Sequence, residues 1–257
     1  MIDVCVMIDP SAKLAAGVTV GPGSVIGANV EIGENTWIGP YVVIKGPTVI
    51  GKNNKIFQFA SVGDEPQDLT YAGEQTQLEI GDNNIIREYC MINRGTIKGG
   101  GITKIGHNNF LMAYSHVGHD CLVGNNIIMT NYSALSGHVI VENYAIIGGY
   151  SAVHQFCCIG AYAFIARATY VTKDVLPYVL IASSNNTAAC SINTVGLRRH
   201  GFSSTVIDML RRAYKVIFRK GLTVDQAIIE LEIMKNDCIE IQPLIVALQK
   251  STRGITR

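Results

Sequence analysis

Aliphatic side chains return every six residues along most of this chain. One run comprises Ile8, Leu14, Val20, Ile26, Ile32, Ile38, Ile44, Ile50, Ile56 and Val62, and it resumes in phase at Ile80, Ile86 and Ile92. A second run, displaced by one residue, is Ile105, Leu111, Val117, Val123, Met129, Leu135, Val141, Ile147, Val153, Ile159, Ile165 and Val171. Glycine often follows the apolar residue, as at Gly21, Gly27, Gly33, Gly39 and Gly51, while Ser24, Thr36 and Thr48 stand two before it. A turn therefore adjoins each inward knob. A period of six fits neither an amphipathic helix at 3.6 nor a lone strand at 2, but suits a solenoid whose short strands each give one side chain to a central core. The spacing predicts a parallel β-helix of hexapeptide repeats. Three hexads close one triangular coil, and coils stack at the usual strand spacing of about 4.8 Å.

Two segments break the hexads, near 63–77 and 93–104, and both are expected to be external loops. Loops of that length in a compact array generally serve function or subunit binding. The pattern fades after Val171, and Pro177 with the polar run Ser183 to Thr187 reads as a transition. A helical period then begins: Ser203 or Ser204 caps a helix through Lys220, with Val206, Leu210, Tyr214 and Ile217 or Phe218 on one side and Gly221 at its end. Thr223 and Gln226 form a capping box for a second helix through Met234, and Ile241 to Lys250 reads as a third. The expected organisation is a β-helix over 1–185 and a C-terminal helical domain over 186–257, which also covers the open end of the solenoid.

Composition narrows the function classes. At 257 residues the chain is one large or two modest domains, and 26 glycines with 16% charged residues suit a solenoid. A net charge of +1 gives no bulk attraction to nucleic acid or membrane. Asp3, Asp9 and Pro10 interrupt the start, so neither a signal peptide nor a membrane span is expected. The seven cysteines, with Cys157 and Cys158 adjacent, show no zinc or disulfide spacing. They read as small buried hydrophobes of a protein in a reducing cytoplasm.

Folding the second run onto coils locates the chemistry. His116, His119, His138 and His154 share one corner of three consecutive coils, a patch about 10 Å tall at the strand spacing. Asp120 falls directly under His138, Gly137 and Gln155 stack over His119, and His107 falls elsewhere. Three readings are open for this cluster. The histidines are solvated turn residues or part of a polar ladder; or they bind a metal, which their His-x-x-His spacing fits poorly; or one is a general base. In the last case an imidazole takes the proton of a hydroxyl attacking a carbonyl, and Asp120 orients the ring.

A series of motifs runs in order through nearly the whole chain: Met1-Ile2-Asp3, Gln58-Phe59-Ala60-Ser61, Gln67-Asp68-Leu69, Tyr71-Ala72-Gly73-Glu74, Arg94-Gly95-Thr96 and Gly99-Gly100-Gly101. His119-Asp120-Cys121, Gly137-His138, Ile146-Ile147-Gly148-Gly149, Ala152-Val153-His154-Gln155-Phe156-Cys157 and Ser251-Thr252-Arg253-Gly254 complete it. On these motifs the chain resembles the bacterial UDP-N-acetylglucosamine O-acyltransferases that begin lipid A synthesis. The resemblance implies a left-handed coil and a homotrimer with active sites between neighbouring solenoids. It also implies a 3-hydroxyacyl acyl carrier protein as donor and the 3-hydroxyl of UDP-N-acetylglucosamine as acceptor, with no cofactor and no metal. By the same match His119 is the general base, Asp120 supports it, and the Gly137 N–H stabilises the oxyanion. Asp68, His116, His138, His154 and Gln155 are implied sugar and donor contacts. Asn193 and Arg199 are implied contacts to nucleotide or donor from the helical domain. No covalent intermediate is needed, and Cys121 reads as core. Arg211, Lys215 and Arg219 lie at i, i+4 and i+8 with Arg212 and Lys220 beside them. That basic face is either ordinary solvated surface or a docking ridge for the acidic carrier protein.

Several positions depart from the family pattern. Thr70 stands in place of a lysine, so a cationic contact near the sugar is expected to be absent. Asn93 replaces a histidine, Asn185 or Asn186 a nucleotide-side histidine, Val195 a glutamate and His200 an arginine. Arg167 occupies the place of a small residue at the end of the acyl groove, where it either blocks the groove and favours short acyl groups or turns to solvent. A related transferase with another donor, such as acetyl-coenzyme A, or a 3-amino sugar-nucleotide acceptor therefore stays open. So does a non-catalytic trimeric scaffold, against which the polar cluster at one corner argues.

Overall fold

The computed structural model of the protein describes residues 2–183 and 187–257. Each hexad forms a short strand, usually of two residues, whose second side chain points inward. Parallel pairing stacks the strands into three faces of a triangular left-handed prism. Face 1 runs from Met7–Ile8 to Tyr170–Val171, face 2 from Lys13–Leu14 to Cys158–Ile159, and face 3 from Thr19–Val20 through Phe164–Ile165 to Val179–Ser183. The knobs from Val20 to Val171 are buried, and truncating such a side chain typically costs about 2–5 kcal/mol. Ile8 and Leu14 are only partly covered, lying on the terminal strands of faces 1 and 2 among the described residues.

Both loops leave the prism at the corner between faces 1 and 2. Stacked partners are ordinarily 18 residues apart, as in Thr36 and Asn54, but Asn54 and Asn84 are 30 apart across the first loop and Asn84 and Asn109 are 25 apart across the second. The first insertion is therefore two whole hexads and preserves the phase. The second is one hexad plus one residue, which produces the shift seen in the sequence.

The outer faces differ in character. Above Thr19, Trp37 and Lys55, the outward positions of face 3 are Ile85, Phe110, Ile128, Ile146, Phe164 and Leu180. Face 1 presents Val43, Met91, Ala134 and Ala152. Face 2 carries ion pairs instead, Lys13 with Glu31 at 2.6 Å and Lys104 with Glu79 at 3.0 Å. Between faces 3 and 1 the corner carries stacked rings, Tyr41, Phe59, Tyr89, Tyr114, Tyr132 and Tyr150, with successive centroids 5.8, 5.0, 4.7, 4.7 and 4.8 Å apart.

The solenoid does not end in a bare transition. Val179–Ser183 pairs antiparallel with Thr187–Ile192, so the sheet of face 3 runs past residue 186 before the helices begin. Asn185 and Asn186, with the boundary expected at 185, lie outside the described residues. Helix α1 (Thr194–Arg199), absent from the periodicity because it is six residues long and contains Gly196, starts from an Asn193 cap. Helix α2 (Ser204–Arg219) is capped by Ser203, and α3 (Val224–Lys235) by the Thr223–Gln226 box. A 3₁₀ turn over Ile239–Ile241 leads into α4 (Gln242–Lys250). The Tyr214 hydroxyl fixes α2 to the sheet by donating to the Ala189 carbonyl at 2.8 Å. Cys90, Cys121, Cys157 and Cys238 are buried as expected, whereas Cys5 and Cys190 are exposed, the first on the uncovered starting coil and the second on the outermost strand. No described helix is long and apolar enough to cross a membrane.

Candidate active site

The same corner that ejects both loops also carries the histidines, because His119 and His138 follow the face-1 knobs Val117 and Leu135. Its backbone slot has positive φ, 60° at Asp120, 61° at His138 and 63° at Phe156. A short polar residue such as aspartate tolerates that region, and at His138 the uncommon conformation is held by the coils above and below.

Asp120 is the hub. Its side chain is 1% exposed, and Oδ2 lies 2.7 Å from His119 Nδ1 and 3.6 Å from His138 Nε2. The second loop supplies the remaining donors: Thr96 N–H reaches Oδ1 at 2.7 Å and the Thr96 hydroxyl reaches Oδ2 at 2.7 Å. The Asp120 N–H donates to Thr103 Oγ1 at 2.8 Å. A carboxylate only accepts, so the Asp120 contact puts a proton on His119 Nδ1 and leaves a lone pair on Nε2 of the neutral ring. His119 is therefore oriented and held in the tautomer a base requires. The two imidazoles meet edge-on at 5.1 Å, and His138 stacks on Phe156 at 4.4 Å. Burial lowers the pKa of both His116 and His138, which keeps them neutral at neutral pH. Ligand atoms of His119, Asp120 and His138 all lie within 4.8 Å of one another, near enough for one cation. Asp120, however, already accepts two bonds from Thr96 and one from His119, an arrangement that favours the base reading.

Two glycines let these groups approach. A Cβ at Gly137 would lie 2.5 Å from the His119 ring, and one at Gly99 would lie 2.0 Å from the Asp120 carboxyl carbon. The Gly137 N–H has no acceptor among the described residues. Cys121 is wholly buried with its thiol pushed up to about 12 by desolvation, so it is core and not a nucleophile.

Asp68, His116 and His138 lie close to this pair, and His154 and Gln155 follow Val153 at the same corner one coil beyond His138. Asp68 sits in the first loop, where Thr70 hydrogen bonds lower its pKa and the charges of Lys98 and His119 lower it further. Position 70 is not a lysine, but a cation from the second loop stands beside it: Lys98 Nζ donates to Thr70 Oγ1 at 2.9 Å. Arg94 and Asn93 tie the loops together. Arg94 donates to Gly63 O and the Tyr71 hydroxyl, each at 3.0 Å, and Asn93 Nδ2 to Glu65 O at 2.6 Å. Thr96 and Lys98 carry no site role in the sequence reading, although Thr96 belongs to one of its motifs.

The remaining candidates lie elsewhere on a single chain. Asn193 and Arg199 line a cleft of about 480 Å³ on face 3 with Ile146, Phe164, Leu180 and the exposed Val195. Asn193 spends its amide on structure, accepting from Gly196 N and donating to Tyr162 O, each at 3.0 Å. Arg167 is exposed at the corner between faces 3 and 1, one coil above Gly149. His200 turns the other way, packing edge-on against Tyr144 at 4.8 Å and Tyr162 at 5.4 Å. The four basic residues of α2 and its C-cap Lys220 are all exposed, but Arg211 pairs with Asp208 at 2.6 Å and Lys220 with Glu230 at 2.5 Å. Arg219 lies over Tyr214 at 5.8 Å. His107 is at the corner between faces 2 and 3, accepting from Asp82 N.

A prism of hexads with an oriented histidine at one corner defines a hexapeptide-repeat acyltransferase. Comparison with known proteins agrees. Residues 174–256 match the family described as UDP-N-acetylglucosamine O-acyltransferase, domain 2, and residues 29–56 match the bacterial transferase hexapeptide family. The acyl-[acyl-carrier-protein]–UDP-N-acetylglucosamine O-acyltransferase of Saccharophagus degradans is 52% identical over 98% of this chain and 97% of its own. The solved UDP-N-acetylglucosamine acyltransferase of Francisella novicida superposes with a TM-score of 0.98 at 45% identity, covering 100% of this chain and 94% of that one. LpxA from Acinetobacter baumannii does so at 0.96 and 45%, covering 100% and 99%. The chain belongs to the UDP-N-acetylglucosamine O-acyltransferase family.

Proposed function

We propose that this protein moves a 3-hydroxyacyl group from acyl carrier protein to the 3-hydroxyl of UDP-N-acetylglucosamine, the first step of lipid A synthesis, in the cytoplasm. The observation that carries the reading is the 2.7 Å contact between His119 Nδ1 and Asp120, which leaves Nε2 as a base. Nε2 takes the proton of the sugar hydroxyl as that oxygen attacks the thioester carbonyl. Charge collects on the carbonyl oxygen, where the Gly137 N–H receives it. Collapse breaks the C–S bond, and the proton on Nε2 passes to the departing thiolate. Asp120 stabilises the transient imidazolium without taking its proton.

The proposed assembly is a homotrimer. Apolar outer surfaces on faces 1 and 3 flank the corner of stacked rings, whereas face 2 mixes ion pairs with apolar side chains such as Leu122 and Ile140, so the ring corner is proposed to lie at a threefold axis with face 3 of one copy against face 1 of the next. Such packing carries Asn193 and Arg199 of one copy toward the histidine corner of another. It also runs an acyl chain inward between faces toward Arg167, which is proposed as the ruler that closes the groove.

The test is product mass spectrometry after incubating purified protein with UDP-N-acetylglucosamine and 3-hydroxyacyl carrier proteins of graded length. A monoacylated sugar nucleotide supports the proposal. Absence of product with every donor overturns it and moves the assignment to a 3-amino sugar-nucleotide acceptor. In the same assay Arg167→Gly should shift the preferred donor to longer chains, and an unchanged length preference rejects the ruler.

Two charge predictions accompany the reading. Lys98→Gln should raise KM for the sugar nucleotide roughly 3- to 10-fold, in line with one exposed charge contact. Adding Thr70→Lys should restore it, and steady-state kinetics on both variants checks the pair. Of the α2 basic residues proposed to dock the carrier, Arg212 and Lys215 have no acidic partner among the described residues. Reversing both to glutamate should raise KM for the carrier protein about 10-fold and flatten its salt dependence while the trimer persists. Unchanged donor kinetics would reject docking there.

A further inference from the structure

The motif Ser251-Thr252-Arg253-Gly254 has no part in the chemistry above, yet the chain's last residues are fastened to the coil that bears His154. The Ser251 hydroxyl donates to Asp174 Oδ2 at 2.6 Å, Asp174 N to Gly254 O at 3.0 Å, and Thr256 N to Asp174 O at 2.8 Å. Asp174 Oδ1 in turn accepts from Cys158 N at 2.8 Å. This clamp sets Arg253 Nη2 3.5 Å from His154 Nδ1, with the guanidinium beside the buried Cys157 thiol. Its Nε is buried with no partner among the described residues, a placement that costs stability and so points to another use.

On the same ring nitrogen the structure offers a second, incompatible contact. Gln155 O lies 3.3 Å from His154 Nδ1. A guanidinium only donates and a carbonyl only accepts, so Nδ1 satisfies Arg253 with a lone pair or Gln155 with a proton. Charge assistance favours the Arg253 contact, although at 3.5 Å it is longer than the 3.3 Å contact to Gln155 O. We propose that Arg253 is a positioning residue that fixes His154 as the Nε2–H tautomer, turning it from a hydrogen-bond acceptor into a donor for an oxygen of the substrate. Nε2 makes no bond among the described residues, and sugar-nucleotide and thioester substrates are rich in oxygens that need donors. The inference rests on the reading of His154 as a substrate contact.

Nitrogen NMR of the full chain with ¹⁵N-labelled histidine, assigned with His154→Asn, tests it directly. In the wild type Nδ1 of His154 should resonate as an unprotonated nitrogen and Nε2 as a protonated one. Arg253→Lys should keep this pattern, and Arg253→Met should move the proton to Nδ1. Kinetically, Arg253→Met should raise KM for the sugar nucleotide about 10-fold with kcat nearly unchanged, and Arg253→Lys should largely restore it. A protonated Nδ1 in the wild type overturns the proposal on its own, whether or not the variants fold. The same tautomer in the wild type and Arg253→Met also overturns it. A tautomer change with no change in KM upholds the role of Arg253 and instead removes His154 from the substrate site.

Discussion

Substituting alanine for His119 should lower kcat/KM for acyl transfer by about 10²- to 10⁴-fold, the usual contribution of a positioned general base. The side chain is 16% exposed at a corner, not in the core, so the thermal transition should move little. Asp120→Asn should approach the same loss by a different route. An asparagine amide can present its N–H to Nδ1, and the ring then answers with a lone pair there and a proton on Nε2, the wrong tautomer for a base. This second variant should also be less stable, because the Thr96 N–H and hydroxyl now bond a charged acceptor. Steady-state kinetics beside thermal melting separates the two effects. A His119→Ala enzyme within tenfold of wild type would remove the base from the mechanism.

Gly137→Ala carries the next largest expected effect, through geometry alone. The added methyl would meet His119 Cε1 at 2.5 Å and Nε2 at 2.6 Å, below any distance real Cβ atoms adopt. The ring has little room to yield, being held by Asp120 on one side and His138 on another. Displacing a base by about 1 Å can cost about 10²-fold, and a loss of at least that size in kcat/KM is expected. Gly137 is not among the positive-φ glycines, so alanine strains no backbone and folding should survive. Gly149→Ala is the control, since a Cβ there meets nothing closer than 3.2 Å. Equal losses at both positions would contradict the account.

The hexads made the prism legible because each knob reports one strand, and the register of Asp120 beneath His138 follows from the coil length alone. Even the break in phase had a structural meaning, an insertion of seven residues at the site corner. What spacing could not reveal were contacts made across inserted loops. Thr96 reaches Asp120 only because its loop folds back over the next coil, and Lys98 meets Thr70 because two loops leave at one corner. Arg253 and His154 are 99 residues apart, joined by a tail whose path no periodicity records. Asn193 follows from the family resemblance as a contact but not from the sequence as a helix cap, since α1 is too short to carry a helical stripe. The split of the candidates between the histidine corner and face 3 likewise becomes visible only when the coils are stacked, and it is the physical ground for placing the site between copies.

The most direct test of the central claim is a rapid-quench single turnover with both substrates saturating, following the masses of the sugar nucleotide and of the intact protein in wild type and His119→Ala. The account predicts that the acyl group passes to the sugar nucleotide in wild type with no acylated protein at any time, and that this transfer slows by about 10²-fold or more in the variant. An acylated protein appearing before product, or equal transfer rates in the two proteins, would contradict it.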